Sequence, residues 1–174
     1  MKVFGFAGFS GSGKTTLIEA LLPRFVMEGL RVSLVKHAHH EFDIDRPGKD
    51  SYRHREAGAT EVMLASAKRW VLMHELRNAA EPELPELLAR FAPCDLVLVE
   101  GFKRQPIPKL EIHRAAAARP LLFRHDEHVI AIATDEPLDT LLPQFDLADY
   151  DAIAEFILAH LDLLRAAPRL RRVT

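Results

Sequence analysis

The chain has one cysteine, Cys94, among 174 residues. An intrachain disulfide framework and a cysteine-rich zinc site are therefore excluded. It also lacks a charge imbalance. The net charge is −2 with nine histidines taken as neutral, which gives no reason to expect nucleic acid or an anionic membrane as the main partner. No apolar run approaches membrane-spanning length. No signal peptide precedes the glycine-rich loop that starts at Gly8, so the expected location is the cytoplasm. Internal repeats and low-complexity segments are missing as well. What is present is 48% hydrophobic and 28% charged residues, an ordinary globular balance. The length suits a single domain with a full core, expected over residues 1–164, followed by a basic tail, 165–174, expected to fray.

The stretch Lys2–Leu17, KVFGFAGFSGSGKTTL, organises the rest. Val3 to Ala7 reads as a buried strand, and a helix is expected from about Lys14. Between them, Gly8-Phe9-Ser10-Gly11-Ser12-Gly13-Lys14-Thr15 matches G-x-x-x-x-G-K-[ST] at every fixed position. A triphosphate needs several donors converging on its oxygens, and successive backbone N–H groups supply them where no side chain blocks the approach. Gly8, Gly11 and Gly13 permit that approach. Lys14 can reach the terminal phosphates and is the first catalytic candidate. The Thr15 hydroxyl can ligate magnesium. The plain alternative is a glycine-rich turn, but the strand before and the helix after are the context a phosphate loop requires.

Leu17, Ile18, Leu21, Leu22 and Phe25 form an apolar stripe on the helix. Pro23 is expected to kink or shift it, and Gly29 to end it. Arg31–Lys36 is a second strand, parallel to the first. The segment from Lys36 to Ser51 is polar and dense in titratable groups, which suits a loop carrying chemistry beyond a strand end. His37, His39 and His40 suggest a transition-metal site, against which stands a plainer hydrogen-bonding role. Asp43 and Asp45 alternate with Phe42 and Ile44, so both carboxylates share one face of an extended segment. Asp45 is thereby a candidate to hold magnesium through water or to orient an attacking water. The other reading is a solvated acidic turn. Lys49–Ala59 reads as a short helix whose Lys49, Arg53 and Arg55 are phosphate contacts or, more plainly, a solvated face.

Glu61–Ser66 and Arg69–His74 read as a hairpin at the sheet edge, turning through Ala67-Lys68. An edge exposing Trp70, Leu72 and Met73 needs a cover, and pairing about a two-fold axis in a homodimer would supply it. Pro82–Phe91 is a helix. Asp95–Gly101 is a near-continuous apolar run ending in an acid, as in a buried parallel strand. Glu100 would sit beside the phosphate loop and help bind magnesium, although aspartate is commoner there. Gly101 suggests close backbone approach. Lys109–His113 and His128–Ala133 are further strands. Asp135 follows the last, and its carboxylate can accept from guanine N1–H and the exocyclic amino group. The other reading is a turn-initiating aspartate. Asp149–Leu164 is the last helix. The fold class is α/β, a three-layer domain with a mostly parallel central sheet and an edge hairpin.

GFSGSGKTTL, VKHAHHEFDIDRPGKDSYRHREAGA and LVLVEGFK, spread over residues 4–103, resemble the molybdopterin-guanine dinucleotide biosynthesis protein B family, MobB. The resemblance implies a dimeric P-loop GTP-binding protein with weak GTPase activity. It also implies assistance to the nucleotidyltransferase, MobA, that attaches a guanine nucleotide to molybdopterin. The matching positions are Ser10, Gly11, Ser12, Gly13, Lys14, Thr15 and Thr16, the segment His37–Asp50, and Glu100-Gly101. GTP and Mg2+ are the cofactors so implied, and molybdopterin is a possible further ligand. Two other readings use the same loop: a small-molecule kinase with Arg53 and Arg55 as a lid, and a GTP-dependent metal chaperone using the histidines.

Overall fold

A computed structural model of the protein describes residues 1–38 and 42–164. His39, His40 and the basic tail lie outside the described residues. The chain clusters into two compact units, Met1–His37 together with the chain from Leu84 onward, and Ala38–Glu83.

In the first unit, strand β1 (Lys2–Ala7) leads through helix α1 (Lys14–Met27) to β2 (Val32–Lys36). The second unit supplies α2 (Asp50–Glu56), β3 (Glu61–Ala65) and β4 (Trp70–His74). The first then resumes with α3 (Leu84–Leu88), β5 (Leu96–Glu100), β6 (Lys109–His113), β7 (Val129–Thr134), β8 (Gln144–Asp146) and α4 (Tyr150–His160). Among the described residues its strands form a six-stranded sheet of order β2-β5-β1-β6-β7-β8, every neighbouring pair parallel.

The apolar run of β5 is explained by burial on both faces. Leu96 and Leu98 join Phe4, Phe6, Leu110 and Ile112 against Leu17, Leu21 and Phe25 of α1 and Ile153 and Ile157 of α4. Val97 and Val99 face the other way and pack with Leu84 and Leu88 of α3. Arg24 of α1 pairs with Asp151 of α4 and lies over the Tyr150 ring, which ties the two helices together. Helix α1 continues through Pro23 to Met27. It ends as the sequence suggests: Gly29 has φ 74°, its N–H bonds the Val26 carbonyl at 2.9 Å, and Leu30 N–H bonds Phe25 at 3.2 Å. This is the double-bonded glycine stop that also seats an apolar residue, here Leu30, against the last turn. Helix α4 stops four residues short of the expected Leu164. Asp162 takes the left-handed conformation there, with φ 53°, a stop that no glycine advertises.

The structure departs from the sequence reading in α3, which covers only Leu84–Leu88 of the expected Pro82–Phe91, and in two strand features. The hairpin forms, but β3 and β4 pair with each other as a separate two-stranded sheet rather than as an edge of the central one. Its turn works without glycine because Ser66 Oγ accepts from the backbone of Lys68 and Arg69 at 3.3 and 3.2 Å. The three-residue β8 is too short to carry a period in the sequence. Strand β6 spans the expected Lys109–His113 and alternates Leu110 and Ile112 with the buried Lys109, Glu111 and His113. Lys109 and Glu111 bond to loops. Glu111, 1% exposed, accepts from the Leu122 and Phe123 N–H groups at 2.7 and 2.9 Å.

A glutamine at Glu111 has only one acceptor for those two N–H groups, so a buried donor loses its partner. Glu111→Gln is expected to lower unfolding free energy by about 1–3 kcal/mol in urea melts. An unchanged midpoint would show that the loop does not depend on the carboxylate.

Candidate functional site

Strand β1 runs between β5 and β6, so the loop leaving it opens at the carboxyl end of the sheet, where open parallel sheets place ligands. Gly8, Gly11 and Gly13 have φ of 155°, 79° and 101°. Gly8 is the confined one. A Cβ there would lie 2.6 Å from the Ile112 carbonyl oxygen and 2.6 Å from Ser12 Oγ, whereas one on Gly11 would meet nothing within 4 Å. Gly13 caps α1 in the left-handed conformation and contributes no side-chain bond. The first-turn N–H groups are thus presented to the loop, the usual seat for an anion. Ser10, Thr15 and Thr16 are exposed, while Ser12 is 4% exposed and its Oγ has no hydrogen-bond partner. A phosphate oxygen in the loop would satisfy that hydroxyl, so the cradle fits the group.

Lys14 folds back over the loop. Its Nζ donates to the carbonyls of Gly8 and Phe9 at 3.1 and 2.9 Å. Burial holds its ammonium below the ordinary lysine range; Glu100 opposes this, and Lys103 and Lys36 add to it. Glu100, at the end of β5 and 6% exposed, accepts from the Thr15 hydroxyl at 2.9 Å and pairs with Lys36 Nζ at 3.2 Å. The Thr15 hydroxyl and the Glu100 carboxylate are hard oxygen donors of the kind magnesium takes. Gly101 is as tight as its position suggested. Its φ is 91°, and a Cβ would lie 3.0 Å from His37 Cβ.

Asp135 is largely occupied by its own chain. Its Oδ1 accepts from Ala115 N–H at 2.9 Å, and its Oδ2 lies 3.9 Å from Arg114 Nη1. A cleft of about 340 Å3 opens beside it, lined by Thr134–Pro137 and Gln144–Asp146. A larger one of about 530 Å3, lined by Phe123–His128, includes none of the phosphate-loop residues. Sequence reasoning missed Arg114, whose Nε donates to the Ser12 carbonyl at 3.2 Å. It also missed Lys103 and Arg119, which lie over the Phe9 ring. Isolated bases in loops carry no period or spacing that would have found them.

In the second unit, Asp45 Oδ1 accepts from Arg46 N–H and the Ser51 hydroxyl, both at 2.9 Å, and its Oδ2 lies 3.4 Å from Arg55 Nε. Arg55 is not a solvated face. Its side chain is 12% exposed and also pairs with Asp43 at 2.8 Å and Glu75 at 2.7 Å. Hydrogen bonding to Glu75, then to Asp43, raises the guanidinium further. The Arg55 bond holds the Asp43 carboxyl below its ordinary value. Among the described residues no three His, Cys, Asp or Glu side chains come together to hold a metal ion.

A depressed carboxylate contributes stability above its unfolded pKa and loses it as pH falls through the folded one. By NMR, Asp43 is expected to titrate below 3.8 and to move back up in Arg55→Leu. A wild-type carboxyl titrating at or above that value would overturn the pairing.

The family model described as molybdopterin guanine dinucleotide synthesis protein B matches residues 3–135. The molybdopterin-guanine dinucleotide biosynthesis adapter protein of Escherichia coli K12 is 43% identical, covering 89% of this chain and 90% of that one. The Haemophilus influenzae protein of the same description is 44% identical, over 89% and 86%. A crystal structure of molybdopterin-guanine biosynthesis protein B superposes with a TM-score of 0.74 at 28% identity, over 92% of this chain and 99% of that one. The MobB homologue from Bacillus stearothermophilus gives 0.71 at 29%, over 94% and 100%. With matches that extend over most of its length, the chain belongs to the MobB family.

Proposed function

We propose that the protein is a GTP-binding adapter in molybdopterin-guanine dinucleotide formation, working in the cytoplasm with a MobA-like nucleotidyltransferase. The adapter role follows the descriptions of its relatives. The observation that carries nucleotide binding is the loop itself: glycine where only glycine fits, a buried Ser12 hydroxyl without a partner, and Lys14 bonded to loop carbonyls. In this reading Ser10–Thr16 cradle the phosphates, and Lys14 exchanges the Gly8 and Phe9 carbonyls for phosphate oxygens. Thr15 and Glu100 hold magnesium, which would neutralise charge on the terminal phosphates. Asp45 was a candidate for water activation and for the metal. Its bonds to Arg46, Ser51 and Arg55 favour a scaffolding role in the second unit. The engagement of Arg55 also speaks against a kinase lid.

Nucleotide binding and turnover, with and without the nucleotidyltransferase, test this function. GTP should be preferred to ATP, Lys14→Ala should lose most triphosphate affinity, and turnover should fall well below the roughly 1–100 per second of a kinase. A wild-type protein that binds neither nucleotide would sink the proposal.

Asp135 is the proposed guanine contact, beside the cleft at Thr134–Asp146. Asp135→Asn keeps an acceptor for Ala115 N–H, so the loop should survive. With its one oxygen committed to Ala115, the amide presents an NH2 donor to guanine where the carboxylate presents the Oδ2 acceptor. Affinity for GTP should therefore drop about ten- to a hundredfold, while inorganic triphosphate binds as before and xanthosine triphosphate gains relative to GTP. Unchanged GTP affinity would make Asp135 only the anchor of Ala115 and Arg114.

A homodimer is proposed through the hairpin. Strand pairing puts Met63 opposite Leu72 and Ala65 opposite Trp70 on one face, where Trp70 is 68% and Met63 60% exposed, whereas Met73, expected to be exposed with them, is buried. Trp70→Glu is expected to shift sedimentation at micromolar concentration from dimer to monomer. A wild-type monomer under those conditions would count against it.

A further inference from the structure

Among the described residues, the basic groups around the phosphate loop are not all matched to carboxylates. Lys36 pairs with Glu100, Lys14 bonds to two loop carbonyls, and Arg114 is held between Ser12 and Asp135. Lys103 and Arg119 are set instead against a neutral ring. Lys103 Nζ lies 4.3 Å from the Phe9 ring centroid, and Arg119 Cζ lies 5.6 Å from it. Phe9 is a residue of the phosphate loop, and its carbonyl is the one that takes the Lys14 ammonium at 2.9 Å. Two lysine ammoniums thus meet on one residue, and their mutual repulsion is among the influences that lower Lys14.

The loop that carries Lys103 is held in place. It begins at Gly101 and turns at Phe102, whose φ of 45° is a left-handed conformation that a phenylalanine adopts at a cost. Such a conformation persists only where the surroundings enforce it. Beyond Phe102 the loop is tied by Lys109, 2% exposed, whose Nζ donates to the Lys103 and Gln105 carbonyls at 2.8 Å each and to Asp126 at 2.6 Å. One buried ammonium therefore fixes the backbone of the residue whose own ammonium reaches Phe9.

The attraction of a cation for a ring face is weaker than a charge-assisted hydrogen bond to a phosphate oxygen. A phosphate that comes within reach takes the cation from the ring. In a loop of this pattern the lysine of Lys14 reaches the terminal phosphates, and it shares Phe9 with Lys103. We propose that Lys103, with Arg119 beside it, is a second cationic contact for the terminal phosphate of a nucleoside triphosphate, resting on Phe9 when no phosphate is there. This inference rests on the nucleotide-binding reading of the same loop. Its consequence is discrimination: a contact to the last phosphate favours a triphosphate over a diphosphate.

Calorimetric affinities for GTP, GDP and inorganic tripolyphosphate test it, in the wild type, Lys103→Ala and Lys103→Gln. The glutamine keeps an aliphatic stem against Phe9 while removing the charge. In both variants GTP and tripolyphosphate should weaken about tenfold or more while GDP stays within about twofold, so the GTP-to-GDP preference falls about tenfold. Lys103→Arg should keep the preference, and Arg119→Ala should erode it in the same direction. A wild-type protein that binds neither GTP nor tripolyphosphate overturns the nucleotide reading of the loop, and this inference with it. Wild-type binding with an unchanged preference in both charge-removing variants overturns this inference alone. Equal weakening of GTP and GDP also overturns it, because a terminal-phosphate contact has nothing to lose in a diphosphate.

Discussion

A Cβ on Gly8 would lie 2.6 Å from the Ile112 carbonyl oxygen and 2.6 Å from Ser12 Oγ, so the loop after β1 closes only around glycine. The confinement follows from β1 being an interior strand. With β6 hydrogen-bonded beside it, the Ile112 backbone stands against the point where the chain turns. The turn then has one direction to take, toward the start of α1. Lys14, Thr15 and the first-turn N–H groups are delivered by that path, and Ser12 is buried by it. Core packing of α1 through Leu17, Leu21 and Phe25 holds the far end of the same geometry.

Charge is placed by the strand ends. Lys36 ends β2 and Glu100 ends β5, and the parallel register sets these two residues side by side. Their ion pair reaches Thr15 on α1, so three elements converge on two oxygens and one ammonium. On the other side of β1, the polar groups of β6 do structural service. Lys109 and Glu111 each satisfy backbone groups of loops that pack on the sheet. Hydrogen-bonding such buried charged groups to the backbone keeps them from carrying a large desolvation cost. The loops they hold are those that carry Lys103 and lie near Arg119.

The second unit is held by other means. Its apolar content is spread over a hairpin whose residues are mostly exposed, and among its described residues only Met73 and Ser51 are buried. Arg55 supplies cohesion by meeting Asp43, Asp45 and Glu75, and Arg77 bonds the Arg55 and Ala59 carbonyls at 3.1 and 3.0 Å. Ion pairs that remain partly open to solvent stabilise weakly, so this unit depends on its network as a whole.

The amino-acid sequence by itself determined the elements whose physics is local. The phosphate loop, the α1 stripe, the Gly29 stop and the doubly buried β5 each show in a run of neighbouring residues, because phosphate geometry, helical period and strand burial act over short stretches. The tight fit at Gly101 was readable for the same reason. What tertiary structure alone decided is what depends on partners distant in the chain. Asp135 meets Ala115 and Arg114, Lys109 meets Asp126 and the Lys103 carbonyl, and the hairpin pairs only with itself among the described residues. A hydrogen bond between residues far apart in sequence leaves no periodic trace. Whether a carboxylate faces a ligand or its own backbone is settled only when strand order brings the two together.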